Sequence, residues 1–195
     1  GCDAVKFQKR KISRILTKAG LEMPYENRNS FGKTYGEHKY ALELSEEDYE
    51  SLFQFSQKLD IEFCASGWDE ESIDFLDDLG VSFFKMASAD LTNLPLLEHV
   101  AKKEKPVILS TGMADMKIIK SSIGLVEKYN NQIGILQCTS TYPAQFSEIN
   151  LNVLHTYRKE FSNAVIGYSG HEHGIAIPIA AVALGARIIE RHFTL

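Results

Sequence analysis

The chain has neither an excess of positive charge nor a long apolar run. Its 195 residues carry 21 Lys and Arg against 26 Asp and Glu, which gives a formal net charge of -5. This balance argues against a nucleic-acid partner, because nucleic-acid-binding proteins present basic surfaces. No stretch reaches 18 consecutive apolar residues, so we expect no membrane span and no membrane partner.

Cysteine is scarce as well. The three cysteines are Cys2, Cys64 and Cys138, and the last two lie within apolar runs. An odd number in such surroundings favours buried free thiols in a reducing compartment over a disulfide framework. The chain begins with neither an initiator methionine nor a signal peptide. We therefore expect a cytoplasmic protein of which this chain is a fragment that lacks the N-terminus.

Glycine-rich nucleotide motifs are missing too. Neither GxGxxG nor GxxxxGK[ST] follows any predicted strand, which removes the best evidence for a nucleotide-binding open sheet. What the chain does contain is seven short apolar segments that alternate with helical ones. These predicted strands are AVKFQ, IEFCAS, FFKMAS, VILSTG, IGILQCTS, AVIGYS and ARIIERHF. Such alternation predicts a parallel α/β sheet, either doubly wound or closed as a barrel.

Helix boundaries are marked by capping residues. The predicted N-caps are Ser45, which forms a capping box with Asp48, and Asp69, Asn93 and Asp115. Gly80 predicts a C-terminal stop. Pro178 lies within an unusually apolar helical segment, where it either kinks the helix or belongs to its first turn. Residues 32–44 form a polar stretch to which we assign no element.

Polar residues follow nearly every predicted strand. They are Ser66, Ser88, Ser110, Thr111, Thr139, Ser140, Ser169, His171 and His192. An open sheet gathers its ligand groups at one switch point, whereas a barrel draws them from many strands. The distribution predicts a (β/α)8 TIM barrel. Because a complete barrel needs eight strands and about 250 residues, we expect residues 1–195 to be a partial barrel domain that lacks the first strand and the closing helix.

Two lysines interrupt apolar strands: Lys6 in AVKFQ and Lys85 in FFKMAS. Strands of a parallel sheet are normally covered on both faces, and an unpaired buried ammonium costs several kcal/mol. Each lysine is therefore expected to point at an anion. The alternatives are a side chain that reaches solvent and an ion pair with a purely structural role.

Several longer motifs carry a family resemblance. They are GCDAVKFQK, FFKMASADLTNLPLLE, ILSTGMA, LQCTSTYP, IGYSGHEHGIAI and AAVALGARIIERHFTL. Together they resemble the sialic acid synthase family, whose members condense phosphoenolpyruvate with N-acetylmannosamine or its 6-phosphate. The resemblance implies a homodimeric full-length enzyme with a C-terminal antifreeze-like domain that is absent from this chain. Two motifs, GKTYGEHK and IGYSGHE, resemble the animal-type enzymes, which use the 6-phosphate, more than the common bacterial form.

The resemblance also implies roles for individual residues. Lys6 and Lys85 match the catalytic cations that hold the phosphate and carboxylate of phosphoenolpyruvate, a role for which a compact ammonium is suited. The serines that match hydrogen-bonding positions are Ser66, Ser88, Ser110, Ser140 and Ser169. Gln8 and Tyr142 match positions that contact the sugar. A strand-end serine has a simpler role open to it as a helix cap, and Tyr142 has one as part of a Tyr-Pro turn.

His171 and His192 match a pair of metal ligands. Two imidazoles with waters and a substrate oxygen suit Mn²⁺ best, with Mg²⁺ or Co²⁺ as alternatives, and such an ion polarises the sugar aldehyde. Glu190 shares a strand face with His192 by period two, so it either orients a metal-bound water or pairs with a lysine. His155 and His173 do not match the motif and are expected at the surface.

Two rival functions stay open at this stage. One is a phosphoenolpyruvate-dependent synthase of another nonulosonic or ulosonic acid. The other is a non-catalytic relative of the same fold, against which the presence of Lys6, Lys85, His171 and His192 argues.

Overall fold

The computed structural model describes residues 1–193 and divides the chain into two compact units, Gly1–Ser82 and Phe83–Leu195. Residues 194 and 195, which end the last of the matching motifs, lie outside the described residues. Within each unit parallel strands alternate with helices. Seven strands occur in the described part of the chain, one in each predicted segment, so the predicted β–α alternation is confirmed.

The first unit contains two parallel strands, β1 (Ala4–Lys9) and β2 (Glu62–Gly67). Its helices are α1 (Ile12–Ile15), α2 (Lys18–Glu22), α3 (Tyr35–Leu42), α4 (Glu46–Lys58) and α5 (Glu70–Leu79). The strands pair in a register that places Lys6 opposite Cys64 and Gln8 opposite Ser66. These four side chains therefore share one face of the pair.

Helix α3 lies in the polar stretch to which the sequence analysis assigned no element. The Thr34 hydroxyl accepts a bond from the Glu37 N–H, and the Glu37 carboxylate accepts one from the Thr34 N–H, so a complete capping box starts the helix. The buried residues of this helix are Gly36 and His38. Because neither is aliphatic, the helix lacks the apolar periodicity by which helices are recognised.

The other predicted helix boundaries are confirmed. Ser45 and Asp48 form a capping box at α4, Asp69 caps α5, and Gly80 ends α5 in the left-handed conformation with φ of 89°. Asn93 and Asp115 cap the two helices that follow. Local capping chemistry thus sets these ends as the sequence indicated.

Asp69 is expected to stabilise the first unit more than an ordinary helix cap. Its buried carboxylate accepts bonds from the Ser72 N–H at 2.8 Å, the Ser72 hydroxyl at 2.8 Å and the Lys11 N–H at 2.7 Å. Asp69→Ala would leave these donors without a partner, so the free energy of unfolding should fall by about 3 kcal/mol. Chemical denaturation of the protein measures this loss.

Asp115→Ala is the matched control for Asp69→Ala. Its exposed carboxylate accepts a bond from the Ile118 N–H at 2.8 Å, and its removal should cost about 1 kcal/mol. Equal losses in the two variants would contradict the role given to the buried Asp69 contacts.

The second unit contains five strands, each paired in parallel with the next. They are β3 (Phe84–Met86), β4 (Val107–Ser110), β5 (Ile133–Cys138), β6 (Val165–Gly170) and β7 (Ile188–Arg191). Its helices are α6 (Leu94–Ala101), α7 (Met116–Val126), α8 (Val153–Glu160) and α9 (Ala176–Ala183). Short 3₁₀ helices lie at Ser88–Asp90 and Phe146–Glu148. Pro178 is the third residue of α9, so the first-turn alternative is the correct one.

The sheet of the second unit has one apolar face and one face with polar side chains. The aligned residues of the apolar face are buried, and they are Phe84, Met86, Val107, Leu109, Ile133, Ile135 and Ile166. Helix α8 packs against β5 and β6, and helix α9 packs against β6. Lys85, Ser110, Ser169 and Glu190 alternate with apolar-face positions along their strands, so they lie on the opposite face.

This five-stranded sheet is strongly curled. In a flat sheet β3 and β7 would lie about 19 Å apart, four strand spacings of about 4.8 Å. The Nζ atom of Lys85 on β3 nevertheless lies 3.6 Å from Oε2 of Glu190 on β7. Such curvature is that of a barrel wall rather than an open doubly wound sheet. The parallel α/β fold is confirmed, and closure into eight strands stays a prediction.

The burial of the cysteines agrees in part with the expectation from composition. None of the three cysteines, which all lie within residues 1–193, is in a disulfide; Cys64 is buried, Cys138 is half-buried and Cys2 is exposed. Cys138 is thus less buried than its apolar run predicted, because it ends β5, where the sheet meets its loops.

Within residues 1–193, no helix is both long and apolar enough to cross a bilayer.

Candidate active site

Lys85 is the most deeply buried cation among the candidate residues. Only 3% of its surface is exposed, because it occupies the middle of the short strand β3. Its ammonium donates to Ser110 Oγ at 2.7 Å and to the Met86 carbonyl at 2.8 Å. Oε2 of Glu190 lies 3.6 Å from Nζ. The lysine therefore points at the Glu190 carboxylate, beside the hydroxyl of Ser110. This is the alternative in which Glu190 pairs with a lysine.

Three serine hydroxyls gather around the loop that follows β4. Ser110 ends that strand and contacts Lys85, and the N–H of Gly112 donates to Ser88 Oγ at 3.0 Å. A methyl group built on Gly112 would collide with Ser140 Oγ and would lie 3.0 Å from Ser88 Oγ. Ser88 and Ser140 therefore approach the Gly112 backbone from two other strand ends, which only a residue without a side chain allows.

Ser169 and Glu190 link this serine cluster to the histidines. They are register partners on β6 and β7, and Ser169 is 3% exposed. His171 follows Ser169 by two residues, and His192 follows Glu190 by two. Side chains two residues apart along a strand point to the same face. The serine, the carboxylate and both imidazoles therefore lie on one face at the ends of β6 and β7.

The two predicted metal ligands and Tyr142 form one cluster. The ring centroids of His171 and His192 are 5.3 Å apart. Tyr142 stacks on His171 at 4.0 Å and meets His192 edge-on at 5.8 Å. Tyr142 is 67% exposed, and partial burial raises the pKa of its phenol. It thus packs beside both imidazoles, in addition to preceding the Pro143 turn.

His171 is oriented so that one nitrogen is available for a ligand. Its Nδ1 lies 2.7 Å from the Thr139 carbonyl, and a carbonyl can only accept, so Nδ1 carries the proton. Nε2 is then the nitrogen with a lone pair, the arrangement found when histidine binds a metal. Within the described residues no cluster of three or more His, Cys, Asp and Glu side chains is placed to hold an ion. The two imidazoles, whose ring centroids are 5.3 Å apart, fit a site that water and substrate would complete, and metal binding stays a prediction.

The remaining candidates, Lys6, Gln8 and Ser66, belong to the first unit. Ser66 is 1% exposed, and its Oγ has no hydrogen-bond partner within residues 1–193. Gln8 is exposed, and its Oε1 accepts a bond from the Arg10 guanidinium. Lys6 is half-buried rather than buried, because β1 has β2 as its one strand neighbour in the described part of the chain. Their shared face agrees with a common site, and their roles stay predictions.

A charged cluster that no sequence pattern indicated lies behind the histidines. Tyr168, Glu172 and Arg191 form it, and Glu172 is 2% exposed. Burial raises the pKa of Tyr168 to about 12, so its hydroxyl is a donor at neutral pH. The one sequence feature that could have indicated this cluster is adjacency to the candidate metal ligands, because Glu172 directly follows His171 and Arg191 directly precedes His192. His155 and His173 are exposed, as expected.

Fold and site together define a curled parallel α/β domain with cationic and imidazole groups at the strand ends. The family model described as "NeuB family" matches residues 1–195. The chain belongs to the NeuB family.

Named relatives support this membership. N-acetylneuraminate-9-phosphate synthase of Mus musculus is 48% identical over 195 residues, which are 100% of this chain and 54% of the relative. N,N'-diacetyllegionaminic acid synthase of Legionella pneumophila is 42% identical over 201 residues, 100% of this chain and 56% of the relative. The chain therefore spans about half the length of these curated relatives.

A solved structure shows the same fold. The N-acetylneuraminic acid synthetase of Leptospira borgpetersenii, in complex with citrate, superposes with a TM-score of 0.85 at 32% identity. The match covers 98% of this chain and 62% of that one. The strand-and-helix arrangement described above is therefore shared with that solved structure.

Proposed function

We propose that the full-length protein condenses phosphoenolpyruvate with N-acetylmannosamine or its 6-phosphate. The products would be N-acetylneuraminate, or its 9-phosphate, and inorganic phosphate. The observation that carries this proposal is the buried Lys85, held by Ser110 and Glu190 on the same strand-end face as the His171 and His192 pair. The printed names of the mouse and Leptospira relatives agree with it.

Lys85 and the serines would hold the three-carbon donor. Phosphoenolpyruvate carries a phosphate and a carboxylate, and both are met best by ammonium groups and by hydroxyl donors. Lys85 supplies a buried charge, and Ser88, Ser110 and Ser140 supply hydroxyls from three strand ends. Lys6, Ser66 and Ser169 are proposed to complete the set. Glu190 keeps the Lys85 ammonium in position until an anion arrives.

His171 and His192 would hold a divalent cation, with Mn²⁺ as the first candidate. When bound, such an ion polarises the carbonyl of the open-chain sugar as a Lewis acid. The Thr139 carbonyl fixes the His171 ring with Nε2 available. Tyr142 contacts both rings, and with Gln8 it is proposed to contact the sugar.

The proposed reaction forms a carbon–carbon bond and a bond from carbon 2 to the oxygen of water, and it breaks the bond from carbon 2 to the phosphate oxygen. One proton of the water ends on the former aldehyde oxygen and the other leaves with the phosphate. Carbon 3 of phosphoenolpyruvate bonds to the aldehyde carbon, water adds at carbon 2, and phosphate leaves from the resulting tetrahedral centre. Lys85 and the serine hydroxyls would hold the donor against the aldehyde and offset the charge on the departing phosphate. Positioning and electrostatics would therefore supply most of the rate enhancement.

A second candidate is a synthase of another nonulosonic acid, which the identity with the Legionella enzyme favours. A steady-state comparison of N-acetylmannosamine, its 6-phosphate and a diacetamido aldohexose would decide between them. We expect the highest kcat/KM with the 6-phosphate, because the mouse and human 9-phosphate synthases are the more similar relatives. A higher kcat/KM with the diacetamido sugar would establish the second candidate.

We further propose a homodimeric full-length protein, which sedimentation would test.

Gly112→Ala is expected to weaken donor binding selectively. The added methyl would displace Ser140 and crowd Ser88, so KM for phosphoenolpyruvate should rise by about tenfold, the cost of misplacing positioning groups. KM for the sugar should change little. Initial-rate kinetics with each substrate varied in turn measure the difference.

Gly124→Ala is the matched control for Gly112→Ala. A methyl group at Gly124, within α7, meets no atom within 4 Å. It should leave both KM values unchanged and should raise the free energy of unfolding by about 1 kcal/mol through helix propensity. If both glycine variants had the same kinetics, the serines around Gly112 would not be the groups that hold phosphoenolpyruvate.

A further inference from the structure

A buried charged cluster lies directly behind the imidazole pair. We define the Glu172 cluster as Tyr168, Glu172 and Arg191. The Glu172 side chain is 0% exposed. Its Oε2 accepts a bond from the Tyr168 hydroxyl at 2.6 Å, and its Oε1 pairs with Nη1 of Arg191. Nη2 of Arg191 donates to the Glu172 carbonyl and, at 3.3 Å, to the Gly174 carbonyl.

The Glu172 cluster connects the two segments that carry the imidazoles. Arg191 ends β7 and directly precedes His192, while Glu172 directly follows His171 in the loop after β6. Successive residues of an extended chain point to opposite faces. The cluster therefore lies on the face opposite the imidazoles, and the Arg191–Glu172 pair ties one segment to the other from behind.

Gly170 shows how closely the backbone packs against this cluster. A methyl group built on it would lie 2.6 Å from Cε1 of Tyr168, 2.7 Å from Oε2 of Glu172 and 2.8 Å from Nη1 of Arg191. All three members of the cluster therefore touch the backbone one residue before His171. Any shift of the cluster would be transmitted to that backbone, because packed interiors do not absorb displacement.

Stability alone does not explain this ion pair, in which the Glu172 side chain is fully buried and that of Arg191 is 29% exposed. Replacing such a pair by apolar residues of similar volume is often neutral or stabilising, because desolvation offsets the attraction between the charges. What a fully hydrogen-bonded buried network does provide is one defined geometry. A pair of metal ligands needs that property, because the separation of their nitrogens sets whether one ion can bind both.

We propose that Glu172 and Arg191, together with Tyr168, are positioning residues that hold His171 and His192 at the separation required for one divalent cation. This inference rests on the proposed function of the imidazole pair. The cluster touches neither substrate nor ion, and it acts through the two loop segments.

The test is metal binding by the full-length protein without substrates. Glu172→Gln keeps the shape of the side chain and removes its charge. The Kd for Mn²⁺, measured by electron paramagnetic resonance, should rise about 30-fold, within the range found for residues that orient metal ligands. The visible absorption spectrum of the Co²⁺ form should change, since it reports ligand geometry. In kinetics kcat should fall, while KM for phosphoenolpyruvate stays unchanged.

Glu160→Gln is the matched control. Glu160 ends α8 and forms a partly exposed ion pair with Lys120 at 2.5 Å, so this variant also breaks an ion pair of the second unit. Its Kd for Mn²⁺ and its Co²⁺ spectrum should equal those of the wild type. Tyr168→Phe removes a single hydroxyl from the cluster and should raise the Kd about fivefold, which corresponds to the loss of one hydrogen bond.

The outcomes separate the positioning role from the proposed function. A folded Glu172→Gln variant with wild-type Kd and Co²⁺ spectrum would overturn the positioning role. If Glu172→Gln does not fold, an unchanged Kd in Tyr168→Phe would overturn it equally. A wild-type protein that binds Mn²⁺ through His192 but makes no condensation product would overturn the proposed function alone. Wild-type protein that binds no Mn²⁺ would overturn both.

Discussion

Replacing Lys85 with methionine is expected to lower kcat/KM for phosphoenolpyruvate by about 1,000-fold, the effect of removing a buried, hydrogen-bonded charge partner worth about 4 kcal/mol. KM for the sugar should change much less. The physical reason is that Lys85 is 3% exposed and is hydrogen-bonded at the strand ends. Methionine at this depth offers no charge to an anion, so an anionic donor would lose its main partner.

Initial rates with each substrate varied in turn would measure the Lys85→Met effect. Lys117→Met is the matched control, because Lys117 is exposed on α7, and it should have wild-type kinetics. The double variant Lys85→Met with Glu190→Gln separates donor binding from the loss of the internal ion pair. It should regain the stability lost in Lys85→Met, but its kcat/KM for phosphoenolpyruvate should stay as low as in that single variant. Unchanged donor kinetics in Lys85→Met would refute the assignment.

His192→Asn is expected to abolish tight divalent-metal binding and to reduce kcat by about 1,000-fold, since a Lewis acid supplies several kcal/mol of transition-state stabilisation. One imidazole with water ligands would hold the ion too weakly. His171→Asn should behave alike, because the two rings are 5.3 Å apart and are proposed to share one ion.

Metal content after dialysis, together with the rate on adding Mn²⁺ back, would measure the His192→Asn effect. His173→Asn is the matched control, since His173 is exposed and lies only two residues beyond His171. It should retain wild-type metal content and rate. Wild-type metal content in both His171→Asn and His192→Asn would show that the ion binds elsewhere.

Much of the fold was predictable because its local signals agree with its tertiary structure. The apolar segments became strands, and Asp69, Asn93 and Asp115 each cap a helix as their residue type predicts. Helix α3 was missed because its buried positions are Gly36 and His38, so the capping box at Thr34 was the one available signal.

The site was predictable to a different extent at each residue. Lys85 was recognisable as a cation within an apolar strand, and its burial is confirmed. Lys6 gave the same signal but is half-buried, because burial depends on how many strands cover β1 and not on its own sequence. Glu172 and Arg191 were not recognised, since their pairing depends on the alignment of β6 with β7. That alignment is a tertiary contact, which no local pattern encodes.

The most direct test of the account follows the fate of phosphoenolpyruvate in the full-length protein supplied with Mn²⁺ and N-acetylmannosamine 6-phosphate. Phosphorus NMR and mass spectrometry would be applied to the same reaction. We expect each phosphoenolpyruvate consumed to yield one inorganic phosphate and one nonulosonic acid 9-phosphate, and we expect phosphate release to require both substrates. Phosphate release without the sugar, with pyruvate as the second product, would contradict it.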